Sequence, residues 1–237
     1  MGASEIALYE VDYFSAHKFS FKTLQATRWL GFVSSLIWLI QTHTLPSDGF
    51  PNYVYMTIWG CFAAVVYFAV VLYITHFCKR EQTSLEKLNQ LERFTHLLFQ
   101  TAFGLEFVIF LIYWLFLLPM MDQLIAKTPE YWLGIWLNCI GTHLLVPLHM
   151  VVEAILNRVC FHKRDGLVLI PTLGIVYSVL NYYWSQSYGK PIYPPMDWKT
   201  ISTPIFLGAA FSFAGVGFYL GYQSWLFKLP KKTKKVE

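Results

Sequence analysis

The chain has 237 residues, of which 56% are hydrophobic and only 14% are charged. A water-soluble domain of this length fills its core with fewer apolar residues, so the composition excludes an ordinary soluble protein. The net charge of +4 is small, and we expect no nucleic acid among the partners. No stretch has the polarity of a linker, which indicates one compact domain.

Six apolar runs follow one another along the chain, each close to the roughly 20 residues that a helix needs to cross a bilayer. They lie at residues 28–43, 53–77, 97–118, 131–156, 167–185 and 201–227. We therefore predict an all-α, polytopic membrane bundle of six transmembrane helices. Its parts are an interfacial N-terminal segment at 1–27, a transmembrane domain at 28–227 and a basic tail at 228–237.

The 18 Lys and Arg residues are distributed unevenly among the segments that separate these runs. From the N-terminal segment through the five gaps to the tail, they number three, none, four, one, three, two and five. The first three are Lys18, Lys22 and Arg28. Because basic loops resist translocation, the richer segments stay in the cytosol. This pattern predicts that both termini are cytosolic and that membrane lipid surrounds the protein.

The last four residues, Lys234-Lys235-Val236-Glu237, are typical of the dilysine signal that coat proteins read on cytosolic tails. The same lysines would also serve as a basic stop after the last span. We expect coat-protein recognition of Lys234 and Lys235, and localisation in the endoplasmic reticulum or another endomembrane.

The four cysteines, Cys61, Cys78, Cys139 and Cys160, form no CxxC pair, so we expect free thiols and no disulfide. We also expect no metal site and no cofactor.

Span four carries most of the polar side chains that interrupt the apolar runs. At 100° per residue, four of them fall on one stripe, which must face the interior because polar groups are costly in lipid. His143 lies to one side of this stripe, and Pro147 can kink the helix and turn His143 toward it. The four residues of the stripe are Asn138, Thr142, His149 and Glu153.

Other spans supply further polar groups, among them Glu106 in span three and Asn181 in span five. We expect both to line a substrate pocket together with His149 and Glu153. Each has a simpler interpretation, because intramembrane polar groups often only link neighbouring helices.

Span four contains the motifs Trp136-Leu137-Asn138, Thr142-His143, Pro147 and Glu153. In this order they resemble the signature of the androgen-induced protein and the androgen-dependent TFPI-regulating protein. A leucine-rich charged stretch at 85–93 and the lysine-rich tail extend the resemblance over most of the chain. The loop at 193–198 contributes its Tyr193-Pro194 pair, and it also resembles the rolling stone proteins.

This resemblance implies an integral membrane hydrolase that cleaves fatty acid esters of hydroxy fatty acids. It implies a threonine nucleophile on span one, activated by a histidine base on span four. The family's threonine aligns with Gly31, so the candidate nucleophiles are Ser34 and Thr27, about one turn away on the same face. The family's histidine aligns with Thr142, and the candidate base is His143, one place later.

The remaining candidate catalytic residue is Asn138, whose amide is suited to stabilising an oxyanion. The glycine at position 31 also fits an alternative, a catalytically inactive membrane scaffold or lipid-binding protein. A haem oxidoreductase is disfavoured because His143 and His149 lie on one helix, and bis-histidine ligation needs facing pairs. Transport is disfavoured because the sequence lacks repeats and paired broken helices.

Overall fold

The computed structural model describes residues 10–11, 20–45, 51–77, 83–84, 90–119, 129–157, 159, 161 and 163–228. Six long helices occupy most of these ranges, so the all-α prediction is confirmed. They are α1 (Phe21–Thr42), α2 (Met56–Phe77), α3 (Gln90–Ile112, continued by the π-helical turn Tyr113–Leu117), α4 (Trp132–Ile140, the π-helical turn Gly141–Leu145, and Val146–Leu156), α5 (Lys163–Tyr188) and α6 (Ser202–Lys228). Two short strands, β1 (Glu10–Val11) and β2 (Thr83–Ser84), pair antiparallel.

Among the described residues, four stretches are long and apolar enough to cross a membrane, namely Met56–Phe77, Gln90–Leu117, Pro129–Leu156 and Ser202–Gln223. Together they make this a multi-pass helical membrane protein. The other two helices, α1 and α5, contain 22 and 26 residues and are more polar. Both still expose rows of aliphatic side chains, such as Val33 and Ile37 on α1 and Ile175 and Val179 on α5. Such rows suit contact with lipid tails.

α2 and α3 pack closely against each other, α1 packs on α2 and α4, and α6 packs on α3 and touches α4. α5 packs mainly against α6 and touches α3. Glycines set two of these close approaches. A Cβ on Gly31 of α1 would lie 2.6 Å from the ring of Phe68 on α2, and one on Gly217 of α6 would lie 2.6 Å from Phe107 on α3. The small residue at Gly217 therefore lets α6 pack closely against α3.

A buried ion pair joins α1 to α4. Arg28 Nε donates to Glu153 Oε1 over 2.9 Å, and both residues are almost completely buried. The same oxygen accepts hydrogen bonds from the Tyr67 hydroxyl at 2.8 Å and from Asn157 Nδ2 at 3.3 Å. The sequence counts Arg28 among the basic residues of the N-terminal segment, and α1 begins at Phe21, so Arg28 lies about two turns into this helix.

The loop between α5 and α6 is held by side-chain hydrogen bonds. Trp198 has φ +60°, a left-handed conformation that is uncommon for a bulky residue. Its indole Nε1 donates to Asn181 Oδ1 over 3.0 Å, and its backbone N–H donates to Thr203 Oγ1 over 2.9 Å. The carboxylate of Asp197 accepts the backbone N–H groups of Lys199 and Thr200, each at 3.0 Å. These bonds fix the loop against the ends of both helices.

Some predictions fall on residues outside the described ranges, including Cys78, Cys160 and the lysines Lys234 and Lys235. Of the cysteines within them, Cys61 and Cys139 are both buried and free.

Candidate functional site

A cavity of about 950 Å³, which includes space open to the surroundings, lies between α3, α5 and α6. We call its two ends the upper end and the floor. The upper end is formed by the start of α2, by His143 of α4 and by the α5–α6 loop, and the floor is formed by Gln100 of α3 with its neighbours. Nearly all the remaining walls are aliphatic or aromatic. Among the wall residues are Leu105, Ile109, Leu173, Leu207 and Phe211.

A hydroxyl and an imidazole meet at the upper end. Thr57 Oγ1, on the first turn of α2, lies 3.1 Å from His143 Nε2 on α4. Both residues line the cavity. This distance is within hydrogen-bonding range and is the separation expected between a nucleophile and its general base.

The other ring nitrogen of His143 indicates which tautomer is present. Nδ1 lies 3.2 Å from the carbonyl oxygen of Cys139 and 2.9 Å from Thr142 Oγ1. The carbonyl can only accept, and the Thr142 hydroxyl already donates to the carbonyl of Asn138 over 2.7 Å. Nδ1 therefore carries the hydrogen. Nε2 is left with its lone pair, to which the hydroxyl of Thr57 donates.

Two π-helical turns place this imidazole. His143 lies in the π turn of α4 and Tyr113 begins the π turn of α3. Their rings stack with centroids 3.7 Å apart and planes 17° from parallel. Single π turns are frequent at functional sites because the inserted residue rotates the side chains that follow.

Pro147 contributes to the same local structure. Proline has no N–H, so the carbonyl four residues earlier, that of His143, lacks its usual helical donor. The indole Nε1 of Trp114 donates to this carbonyl over 2.9 Å. The prediction that Pro147 alters the helix near His143 thus has a structural counterpart, a π turn secured by a side chain of α3.

Tyr193 brings the α5–α6 loop to the same place. Its hydroxyl accepts the backbone N–H of Met56 over 2.9 Å, directly beside Thr57 in sequence. Burial raises the pKa of Tyr193, so the hydroxyl keeps its proton. Both Tyr193 and Met196 line the cavity, and the loop therefore closes its upper end.

The two nucleophiles predicted on the first helix do not reach this site. The Thr27 hydroxyl donates to the carbonyl of Thr23 on its own helix over 2.6 Å, the simpler behaviour of an intramembrane hydroxyl. Ser34 is half-buried, and neither residue lines the cavity. Gly31 faces Phe68 on α2, so a side chain at that position would meet an aromatic ring and not His143.

Other predicted residues support the site or lie away from it. The Asn138 amide donates to Thr42 Oγ1 of α1 over 2.9 Å and so links two helices. Glu153 binds Arg28, and His149, half-buried on the same stripe, does not line the cavity. Glu106 is fully buried on α3, where its carboxyl lies against Gly60 of α2. Asn181 is buried and holds Trp198.

The sequence also identifies the chain's relatives. A profile of the FAR-17a/AIG1-like proteins matches residues 23–226, which is most of the chain. The chain belongs to the FAR-17a/AIG1-like family. The resemblance to the androgen-induced protein is thereby confirmed. No curated protein and no solved structure gives a further match.

Thr57 of this FAR-17a/AIG1-like protein was not among the predicted site residues, because the resemblance placed the nucleophile on span one. The helix of Thr57 also carries Tyr67, Tyr73 and Thr75, so no signal in the sequence distinguished this hydroxyl from the others. Within the described residues, no group of three or more His, Cys, Asp or Glu side chains is arranged to hold a metal ion.

Proposed function

We propose that this protein is a lipid-ester hydrolase in which Thr57 is the nucleophile and His143 the general base. The observation that supports it is the 3.1 Å contact between Thr57 Oγ1 and His143 Nε2 on the wall of an apolar cavity. The fatty acid esters of hydroxy fatty acids implied by the family resemblance would be substrates of this kind. The nucleophile moves from the first helix, where Thr27 and Ser34 were predicted, to the start of the second.

The proposed chemistry proceeds in two steps. His143 Nε2 takes the proton of the Thr57 hydroxyl while Oγ1 attacks the ester carbonyl, and the alcohol leaves with that proton as the carbon–oxygen bond breaks. Water, activated by the same nitrogen, then hydrolyses the acyl-threonine and releases the fatty acid. The Cys139 carbonyl and the Thr142 hydroxyl hold Nδ1–H throughout and stabilise the imidazolium that forms.

Tyr193 replaces Asn138 as the proposed donor to the developing oxyanion. The Asn138 amide is engaged with Thr42, whereas the Tyr193 hydroxyl lies at the upper end of the cavity beside the start of α2. Its hydrogen is a suitable donor to the oxyanion of the tetrahedral intermediate, because a hydrogen bond to a charged oxygen is stronger in largely apolar surroundings.

We also propose that α1 and α5 cross the membrane with the four clearly apolar stretches, which leaves both termini in the cytosol. The lipid-suited outer faces of α1 and α5 and the positions of the basic residues support this arrangement. The upper end of the cavity then lies near the lumenal side of the endoplasmic reticulum. Recognition of Lys234 and Lys235 by coat proteins is part of the same proposal.

The test uses protein purified in detergent and a long-chain branched fatty-acid ester, with a serine-hydrolase probe as a second readout. We expect Thr57→Ala and His143→Gln to lower turnover by about 10²–10⁴-fold while the thermal unfolding temperature stays close to that of the native chain. Thr57→Ser should retain activity. His149→Gln is the matched control, since His149 lies on the same helix away from the cavity. A folded native chain that neither turns over ester nor takes the label would refute the enzyme proposal.

A second candidate is a non-catalytic scaffold or lipid-binding protein. One observation favours it: the Thr57–His143 hydrogen bond joins α2 to α4, and such bonds also serve as links between membrane helices. In that case Thr57→Val lowers stability by about 1 kcal/mol, and neither the native chain nor the variant hydrolyses any ester.

A further inference from the structure

The cavity is a shaft that runs along three helices. Its lining extends from Gly166 to Ser178 on α5 and from Phe206 to Phe218 on α6. Each stretch advances twelve residues, which at the rise of an α-helix corresponds to about 18 Å. The same space follows α3 from Gln100 near the floor to Tyr113 near the upper end.

This length can be compared with that of a lipid tail. Half of the hydrocarbon core of a bilayer is about 15 Å deep, the depth occupied by the acyl chains of one leaflet. The shaft is therefore about as long as one such chain. Its walls are apolar along the way, and its polar residues are concentrated at the two ends, Thr57, His143 and Tyr193 above and Gln100 below.

The floor is a set of polar groups that are bonded to one another. Gln100 Nε2 donates to Asp165 Oδ2 over 3.1 Å, and it lies 3.2 Å from Nδ1 of His96. Gln100 and His96 are both buried. If the methyl end of an acyl chain reached Gln100, moving it further would not lower its free energy. It would have to separate hydrogen-bonded polar groups in apolar surroundings, which is costly.

We infer that the shaft binds one unbranched acyl chain of the substrate, with the ester carbonyl at Thr57 and the methyl end at Gln100, so that the floor sets the longest chain accepted. The inference rests on the proposed hydrolase function and adds to it the chain class and the direction of binding. The distance between the two ends, about 18 Å by helical rise, matches the length of an extended chain in one leaflet.

Gly104 is the position at which the shaft can be shortened. It lines the cavity one helical turn above Gln100, and a Cβ placed there would meet no atom within 4 Å. A larger side chain at Gly104 therefore projects into the shaft without displacing backbone. Gly215 on α6 provides the control, because its Cβ would also meet nothing within 4 Å, yet it is exposed and does not line the cavity.

The first experiment measures kcat/KM for esters of increasing acyl length on the native chain, Gly104→Phe and Gly215→Phe, with Gly104→Val as a milder second variant. For the native chain we expect kcat/KM to rise with acyl length and then fall once the chain exceeds the shaft. Gly104→Phe should lower it by about tenfold or more for the longest accepted ester. For short esters, the kcat/KM of Gly104→Phe should stay within about twofold of the native value. The kcat/KM of Gly215→Phe should match that of the native chain for every ester. If kcat/KM did not depend on acyl length and was the same for the native chain and Gly104→Phe, the proposal that the shaft binds the acyl chain would be wrong. The hydrolase proposal would be unaffected by that result.

The second experiment does not require turnover. Thr57→Ala is incubated with a long-chain ether analogue that carries a photoreactive diazirine either near the ether or near the methyl end. We expect the first probe to label peptides around residues 193–196 and the second to label α3 near Gly104 or α5 near Gly166. Such labelling together with no hydrolysis of any ester by the native chain would support the shaft and refute the enzyme. Labels confined to outward-facing residues such as Val179 would refute the shaft.

Discussion

Helix α4 carries two inward-facing polar sites, one buried at Glu153 and one half-buried at His143, that differ in what surrounds them. Glu153, near one end, is enclosed by protein, and its Oε1 accepts hydrogen bonds from groups on α1, α2 and α4 itself. His143, in the π turn, has one nitrogen fixed by its own helix, and the other meets a hydroxyl at the wall of a cavity. The first site holds helices together without room for a ligand. The second adjoins space that a substrate can enter.

The comparison shows that burial and polarity alone do not identify a reactive group in a membrane bundle. Both sites are costly to place in an apolar surrounding, and both are compensated by hydrogen bonds. Only the site next to open space combines a fixed tautomer, a hydroxyl partner and access for a lipid. We therefore expect changes at Glu153 to affect stability first, and changes at His143 to affect activity first.

The largest expected effect on stability is at the ion pair. Arg28→Met leaves the carboxylate of Glu153 without its charged partner, and breaking a buried pair costs about 3–5 kcal/mol. Unfolding of the purified protein by heat or denaturant in detergent measures this loss. The double variant Arg28→Met/Glu153→Leu should recover most of it, because an apolar pair of similar volume needs no compensation. A single variant within 1 kcal/mol of the native chain would contradict the structural role assigned to this pair.

The next largest loss of stability is expected where α6 packs against α3. It tests whether this helix contact is as rigid as the one at Glu153. Gly217→Leu forces a side chain into the ring of Phe107 on α3, and we expect a loss of about 1–3 kcal/mol. Gly215→Leu, two residues away and exposed, should have little effect. Equal unfolding temperatures for the two variants would mean that α6 is free to move away from α3.

A smaller effect is expected at the loop that closes the cavity. Tyr193→Phe removes the acceptor of the Met56 N–H and should cost about 1 kcal/mol of stability. If the hydroxyl also stabilises an oxyanion, kcat falls more than KM rises. Tyr183→Phe serves as the control, since Tyr183 is 65% exposed on α5. A Tyr193→Phe variant with native kcat would remove Tyr193 from the proposed chemistry.

The smallest effect concerns the pH dependence of the same loop. Backbone N–H groups of Lys199 and Thr200, with the Thr200 hydroxyl, lower the pKa of Asp197 from its ordinary value of 3.8 to about 2. A lowered pKa contributes stability that is present above 3.8 and is lost as the pH falls toward 2. Asp197→Asn should therefore unfold at a lower temperature than the native chain at pH 6, and the difference in unfolding temperature should shrink below pH 4. A difference that is unchanged at low pH would show that the carboxylate charge is not responsible.

The sequence alone determined the class of protein and its family. Runs of about 20 apolar residues predicted six helices, and the order of motifs around Asn138, His143 and Pro147 pointed to the family that the profile match shows. The inward stripe of α4 was also predictable, since helical periodicity fixes which residues share a face. Asn138, Thr142 and Glu153 are indeed buried.

Only the tertiary structure decided which polar groups meet. No pattern in the sequence pairs Arg28 with Glu153, because helices so far apart in the chain can pack in many registers. For the same reason the sequence did not show the partner of His143. Helical periodicity gave the approximate direction of the His143 side chain. A π turn and the approach of α2 place that side chain beside Thr57 and not beside Thr27 or Ser34. Local rules govern each helix, whereas contacts between helices depend on how all six side-chain surfaces fit at once.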